Sequence, residues 1–567
     1  MTQRRAQLLY FGMLALLPIL LFFAFYHPAI IDPYNFGWLL RGTDNGENAL
    51  GLHAWLNDPG TGRSLKTTLL NAPEGVPLLF TDSNPLVSMI VAPIARLMGP
   101  DVQFVGIWIM LCLVLQAAFA HALLRRYAPS LIALWLGVAM LMLMPSLYAR
   151  YVHANLQAHW LLLWALWIFV DARRARDARW WITALCITAL IHNYMLIQVA
   201  AVWGSAMLER FFTQRTIRQK ATLMGEAVAT LALVAMVVGC LGINFDFVPT
   251  RSYNYYAMAL DALWNPANAS YSLFLPAIAQ QNGLSFEGFQ YLGFGSLLLV
   301  ASAPFIVWQT PPVEPVTGMH RRLLWLVPAC LVLTILALSN SVNWQGRTLF
   351  EIPLPWSVIT ALDPVRAAGR LFWVVSYIIV LAVITIAYRL PTQRAEQFLV
   401  LIVFLQFMDL TGMMTAVRRV TADANTHRTW RRTADPRWET AIASAKDITF
   451  APADPIRFLD VFQEVAWRAT TAGKPVRVVY SSRDTRTTKA RLIAEDKDFV
   501  AGRLVASRLY ILMPEAVVPV GAASRLMVLD GIRVLVPVRS IPSFDAPRGP
   551  SAVYPKILPA TSAIRRP

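Results

Sequence analysis

Charge is what this sequence has least of. Only 15% of its 567 residues are Asp, Glu, Lys or Arg, against 56% hydrophobic, where a soluble chain carries roughly a quarter charged residues. The deficit falls in long apolar stretches, which argues against a string of soluble domains and for insertion in a bilayer. Cysteine is scarce too. Cys112, Cys186, Cys240 and Cys330 each lie in an apolar run and none pairs as CxxC, so neither a disulfide framework nor a zinc site is indicated. There is no Walker loop and no GxGxxG after a strand. Acidic residues are outnumbered, 33 to 50 basic, for a net charge of +17. Such a balance can mark nucleic-acid binding, but the basic excess sits largely in short loops between apolar runs. That pattern fits positive-inside topology and contact with anionic headgroups. The expectation is membrane lipid as a partner and no nucleic acid.

The first apolar run, about 7–26, follows Arg4 and Arg5 and has no small-residue cleavage site after it, so it reads as an uncleaved anchor. Further runs lie near 103–124, 131–149, 157–171, 180–192, 194–212, 221–243, 290–309, 322–340, 371–388 and 396–415. The weaker run at 84–98 holds Pro93 and Arg96. Taking it as a juxtamembrane helix puts Arg125-Arg126, the Arg173–Arg176 cluster, Arg321-Arg322 and Arg389/Arg394 on one side, as the positive-inside rule prefers. The expected fold is an α-helical polytopic membrane protein of about eleven transmembrane helices. Residues 1–415 form the membrane domain and 416–567 a small α/β domain. The expected setting is a bacterial inner membrane with the N-terminus cytoplasmic. Loop 27–102, turn 149–156, loops 244–289 and 341–370 and the C-terminal domain would then be periplasmic. Strand-like stretches at 476–480, 509–512 and 532–536 flank a helix near 455–472, and the Pro-rich end reads as loose.

The polar residues worth attention cluster in those loops. In the first, Asp44 and Glu47 have capping-box spacing at the start of a short amphipathic helix predicted to lie in the interface. The same helix carries His53 and Trp55, candidate contacts for a sugar or acceptor. A carboxylate held there could act as a general base toward a hydroxyl. Asp82 either caps the 84–98 helix or supplies a second carboxylate. Two carboxylates can hold a divalent cation or divide acid and base roles, and the spacing leaves both open. His153, His159 and the pair His192-Asn193 gather at the same face; polar groups at membrane depth are costly and tend to be functional, although structural donors are the commoner case. Arg366 and Arg370, four apart at the start of a span, either snorkel to headgroups or form a phosphate clamp. Tyr255 and Trp264 belong to an aromatic, amide-rich loop suited to an interface belt or to carbohydrate.

Gly42-Thr43-Asp44, Phe80-Thr81-Asp82-Ser83, His159-Trp160-Leu161-Leu162 and Arg366-Ala367-Ala368-Gly369-Arg370-Leu371-Phe372-Trp373, with the first-loop layout, resemble a bacterial membrane-protein family close to the GT-C glycosyltransferases. The resemblance covers about residues 1–420. It implies an enzyme that takes a sugar from a polyprenyl-phosphate donor and passes it to a glycan or lipid acceptor on the non-cytoplasmic face, by a single inverting displacement. It gives Asp44 the role of base, with Asp82 in reserve, and suits Arg366 and Arg370 to the donor phosphate. The Asp-Glu dipeptide of several GT-C branches is absent here, Asp44 and Glu47 being two residues apart. A transporter or flippase of lipid-linked glycans, or a scaffold subunit of a polysaccharide export complex, is the competing expectation.

Overall fold

The computed structural model describes residues 3–537 apart from 61–63, 244–245, 251, 482 and 520–523. The side chains of Arg4 and Arg5 and the Pro-rich end therefore lie outside the described residues. Among those described, five helices are long and apolar enough to cross a membrane: Val105–Leu124, Asn193–Thr213, Ile217–Cys240, Val316–Leu338 and Ala368–Ala387. The pair Thr392–Asp409 and Thr411–Asn425, bent by 46°, makes a sixth if taken as one span. This is fewer than the eleven expected. The difference arises because an apolar run need not be helical throughout. The 131–149 run is helical only over Leu131–Met142 before Pro145 opens a separate turn, and 157–171 only over Trp160–Phe169. At 1.5 Å per residue a helix of ten or twelve residues reaches about 15–18 Å, well short of a hydrocarbon core of about 30 Å.

Val105–Leu124 lies at the centre, against Gln3–Phe25, Leu131–Met142 and Trp160–Phe169. Its buried Gln116 donates to Leu141 O at 3.2 Å and to Tyr377 Oη at 3.0 Å, so its amide N–H groups are satisfied across helices inside the apolar bundle. Ile217–Cys240 begins with a capping box of Thr216 and Gln219 and exposes Met224, Val228, Leu231 and Met236. An apolar face with nothing packed on it suits lipid. Asp409, an acidic residue inside an apolar run, is buried and fully used. It accepts from Tyr291 Oη at 2.6 Å and from Phe294 N at 3.0 Å, fixing the start of Phe294–Gln309.

The first-loop helix Asp44–Asn57 is not interfacial. It is buried on nearly every side, between the turn Leu78–Thr81 and the C-terminal helix Leu459–Thr471. Two glycines permit the approach. A methyl group on Gly51 would stand 1.9 Å from Thr81 Oγ1, and one on Gly46 would stand 2.5 Å from Leu39 O. Gln463 donates to Thr43 O at 2.8 Å and accepts from Gly42 N at 2.9 Å.

The C-terminal region holds a four-stranded sheet. Asp447–Ala451 runs parallel to Arg508–Leu512, which is followed in space by the antiparallel Ile532–Pro537 and Ser524–Leu529. The expected helix is present as Leu459–Thr471. The stretch 476–480 is not a strand. Val476 makes single parallel bridges to Leu70 and Ile448, so it ties the first loop to the sheet edge and directs the following residues toward Asp44. The basic stretch after 416 is drawn into ion pairs, Arg432 with Asp460 at 2.9 Å and Arg428 with Asp32. Gly51→Ala should cost roughly 1–3 kcal/mol as an overpacked contact, read as a lowered unfolding midpoint of the detergent-solubilised protein. Gly204→Ala, inside the helix Asn193–Thr213 where nothing stands within 4 Å, should not lower the midpoint and should raise it slightly.

Candidate functional site

Three segments far apart in sequence bring Asp44, Asp82 and His153 together. Asp44 opens its helix as the first helical residue; Thr43 is the N-cap and makes no side-chain cap bond. The capping box expected with Glu47 does not form. Asp82 does not cap the next helix either. Asn84 does that, accepting from Val87 N at 3.1 Å, while Asp82 takes a left-handed backbone at φ 52°. Asn48 and Asn155 both donate to Asp82 O at 2.5 Å, which holds that conformation. Asn45 fixes the third segment by donating to Tyr151 O and accepting from Ala154 N, each at 2.8 Å. His153 is thereby placed with Nε2 3.1 Å from Asp44 Oδ2 and 3.7 Å from Glu287 Oε1, and with Nδ1 4.0 Å from Asp82 Oδ2.

Behind His153 lies a buried ion triad. Arg150 Nη1 donates to Glu287 Oε2 at 2.6 Å, and Arg370 Nε donates to the same oxygen at 2.7 Å. The Arg150 guanidinium also stands 4.5 Å from the centre of the Phe286 ring. Burial presses the Glu287 carboxyl toward protonation, but Arg370 and Arg150 outweigh it and hold it well below the usual range. His153 is shifted down, first by burial, so its imidazole is neutral at physiological pH. Asp44 is shifted up by burial and by the charges of Asp82 and Glu287, against the pull of His153 and Arg370. Asp82 is pushed up to about 6, again chiefly by burial. A carboxylate with a raised pKa is a better proton acceptor near neutral pH.

The tail contributes to the same place. Tyr480, its hydroxyl hydrogen-bonded to Asp44, is kept protonated by that neighbouring charge and by burial. Arg483 joins Asp363 through an ion pair. Arg366 and Arg483 stand near enough for their like charges to act on each other, and Arg366 acts on Asp82. The two arginines read as one helical clamp are therefore divided. Ala368–Phe372 is a tighter turn, with the regular helix beginning at Trp373. Arg370 is spent on Glu287, while Arg366 remains partly exposed beside Asp82.

Asp44, Asp82 and His153 each offer a ligand atom within 4.8 Å of the others. Two like-charged carboxylates with an imidazole form a donor set suited to a divalent cation such as Mg2+ or Mn2+.

The other candidates lie elsewhere. Glu47 is buried one turn beyond Asp44, shifted well up by burial and by both site carboxylates, and neither oxygen makes a hydrogen bond of ordinary geometry among the described residues. His53 faces away, stacked on Trp467 at 3.9 Å with Nδ1 2.9 Å from Pro100 O, and Trp55 donates to Ser64 O at 2.9 Å. Both dock the helix. His159 is buried against Trp373 and 3.0 Å from Tyr377 Oη. His192 caps its helix by accepting from Tyr194 N at 3.1 Å, with Asn193 exposed beside it. Tyr255 packs edge-on to Tyr256 and Trp264 to Trp344. Sequence reasoning missed Glu287, Arg150, Tyr480 and Arg483. Glu287 carried a signal, as an acidic residue in a loop otherwise aromatic and amide-rich; Tyr480 carried none.

The folded-state pKa of Asp82, about 6, lies above its ordinary 3.8. The folded protein therefore binds the extra proton between those values, and that stabilisation is lost as pH rises through 6. Asp82→Asn tolerates the left-handed backbone. It should unfold at a higher temperature than the parent at pH 7.5, with the gap closing toward pH 4, as measured by thermal unfolding in detergent across that range.

No match is found among curated proteins. Residues 15–411 match the family model described as a domain of unknown function, DUF6311, and residues 437–537 match the DUF6311 C-terminal domain. The chain, from its helical bundle to the C-terminal region that supplies Tyr480, belongs to the DUF6311 family.

Proposed function

We propose that the protein is an integral inner-membrane glycosyltransferase of GT-C type. It would move a sugar from a polyprenyl-phosphate donor to a cell-envelope glycan or lipid acceptor on the periplasmic face. The supporting observation is the convergence of Asp44, Asp82 and neutral His153 beside Arg366 and against the Arg150–Glu287–Arg370 triad. An acid–base site next to an accessible guanidinium suits a displacement in which a proton leaves one substrate as negative charge grows on the other.

In the proposed step Asp44 accepts the proton of an acceptor hydroxyl. The oxygen attacks the anomeric carbon, the bond from that carbon to the phosphate oxygen breaks, and the electron pair departs on the lipid phosphate. Arg366 faces that charge. Tyr480 and His153 hold the Asp44 carboxylate in place, and the triad keeps His153 from turning. A divalent cation on Asp44, Asp82 and His153 would screen the carboxylates from the incoming phosphate. An apolar edge for the prenyl chain is available close by. Leu349, Phe350, Ile352 and Trp356, each more than half exposed, line the hairpin and short helix that precede Arg366 in the chain. With the shorter apolar helices counted as parts of the bundle, the proposed arrangement is GT-C-like with about eleven helices, residues 1–415 in the membrane and 416–567 outside.

Asp44→Asn should lower transfer by about 10²–10⁴-fold, the usual range for a lost general base, with folding and donor binding retained. The measurement is transfer of radiolabelled lipid-linked sugar in proteoliposomes. Parent-like activity would remove Asp44 from the step, and movement of dye-labelled glycolipid without transfer would favour a flippase. A cysteine introduced at the partly exposed Tyr34 should react with an impermeant thiol reagent from the periplasmic side of intact spheroplasts; reaction only after permeabilisation would reverse the orientation.

A further inference from the structure

A cavity of about 750 Å3 opens at the far ends of the helices from the Asp44 site, where Val105–Leu124, Trp160–Phe169 and Asn193–Thr213 finish. Twenty residues of helix, roughly 30 Å, separate the two. Its wall includes Arg126, Arg173, Arg321 and Arg322 together with Met319 and Trp325. An adjoining cavity of about 430 Å3 shares Arg126 and adds Arg125 and Arg174, so six arginines face three carboxylates across the two.

The arginines are unequally occupied. Arg322 is committed to Glu209 at 2.7 Å, and Arg174 donates to Trp167 O at 2.8 Å. Arg126 stands 3.9 Å from Asp171 with most of its side chain exposed. Arg173 and Arg321 are exposed, and their side chains make no hydrogen bond or ion pair among the described residues. Beside this collar the surface turns apolar. Trp325 stacks on Phe212, which is itself exposed, and Leu324 is exposed next to it. Exposed guanidiniums beside an apolar surface suit a phospholipid phosphate, since guanidinium forks match phosphate oxygens.

We infer that this cavity is a second ligand site, independent of the Asp44 site, and that it takes a phosphate-bearing headgroup held by Arg126, Arg173 and Arg321. The ligand chemistry is a phosphate or diphosphate ester. A membrane phospholipid supplies it from the bilayer, and a soluble diphosphate would supply it from the aqueous side.

The test is native mass spectrometry of the full chain in detergent, titrated separately with dioleoyl-phosphatidylglycerol, dioleoyl-phosphatidylcholine and inorganic pyrophosphate. Phosphatidylglycerol should bind on the order of tenfold more tightly than phosphatidylcholine, and the preference should fall about tenfold in Arg126→Gln/Arg173→Gln/Arg321→Gln. The single variants Arg173→Gln and Arg321→Gln, both at exposed positions, should show a smaller loss in the same direction. Arg215→Gln/Arg218→Gln, basic residues at the same end but outside the cavity, should bind as the parent does. Pyrophosphate binding that the triple variant loses, without a phosphatidylglycerol preference, assigns the same site to a soluble ligand. Equal affinity for both lipids with no pyrophosphate binding, or an equal loss in the Arg215/Arg218 control, overturns the inference.

Discussion

A carboxylate gripped by two guanidiniums holds the candidate site in shape. Glu287 lies near the end of loop 244–289, Arg150 lies in a turn between helices, and Arg370 stands at the head of another helix. All three are buried, so removing one partner would strand charge in a poorly solvated place, a loss of about 3–5 kcal/mol. The triad carries one positive charge overall. Within it Arg370 draws the Asp44 and Asp82 carboxyls down against burial, while Glu287 pushes both up. Stability and chemistry thus meet in one set of contacts.

Several residues of the candidate site were legible in the sequence, but less of the architecture was. Asp44, Asp82 and His153 could be picked out because polar residues are rare in so apolar a chain and each sits where a helix starts or a turn occurs. Their meeting could not be read, because it depends on the left-handed backbone at Asp82 and on the three asparagines that position it and the His153 turn. Arg366 and Arg370 illustrate a misleading regularity. A spacing of four implies a shared face only on an α-helix, and a 3-10 turn at Ala368–Phe372 parts them. The apolar runs outnumber the helices long enough to span for a related reason: hydropathy records which residues are apolar, not where Pro145 or a tight turn ends the helix.

His53 and Trp55 show the opposite case. Both looked like candidates for substrate, being polar or aromatic on a short helix near the membrane. Both turned inward because that helix is enclosed by protein on all sides, with the C-terminal helix Leu459–Thr471 lying along it. The apolar pattern of Asp44–Asn57 reflected contact with another part of the chain and not with lipid.

The clasp of Gln463 on Thr43 joins residues 420 positions apart, and Tyr480 reaches Asp44 across a similar interval. Such distant closures are late events in folding. A ribosome would have to finish nearly the whole polypeptide before the two ends of this clasp could meet. Partly made chains would carry the helical bundle without the contacts that Gln463 and Tyr480 make to the first loop, so the Asp44 cluster is completed only once the last third has docked.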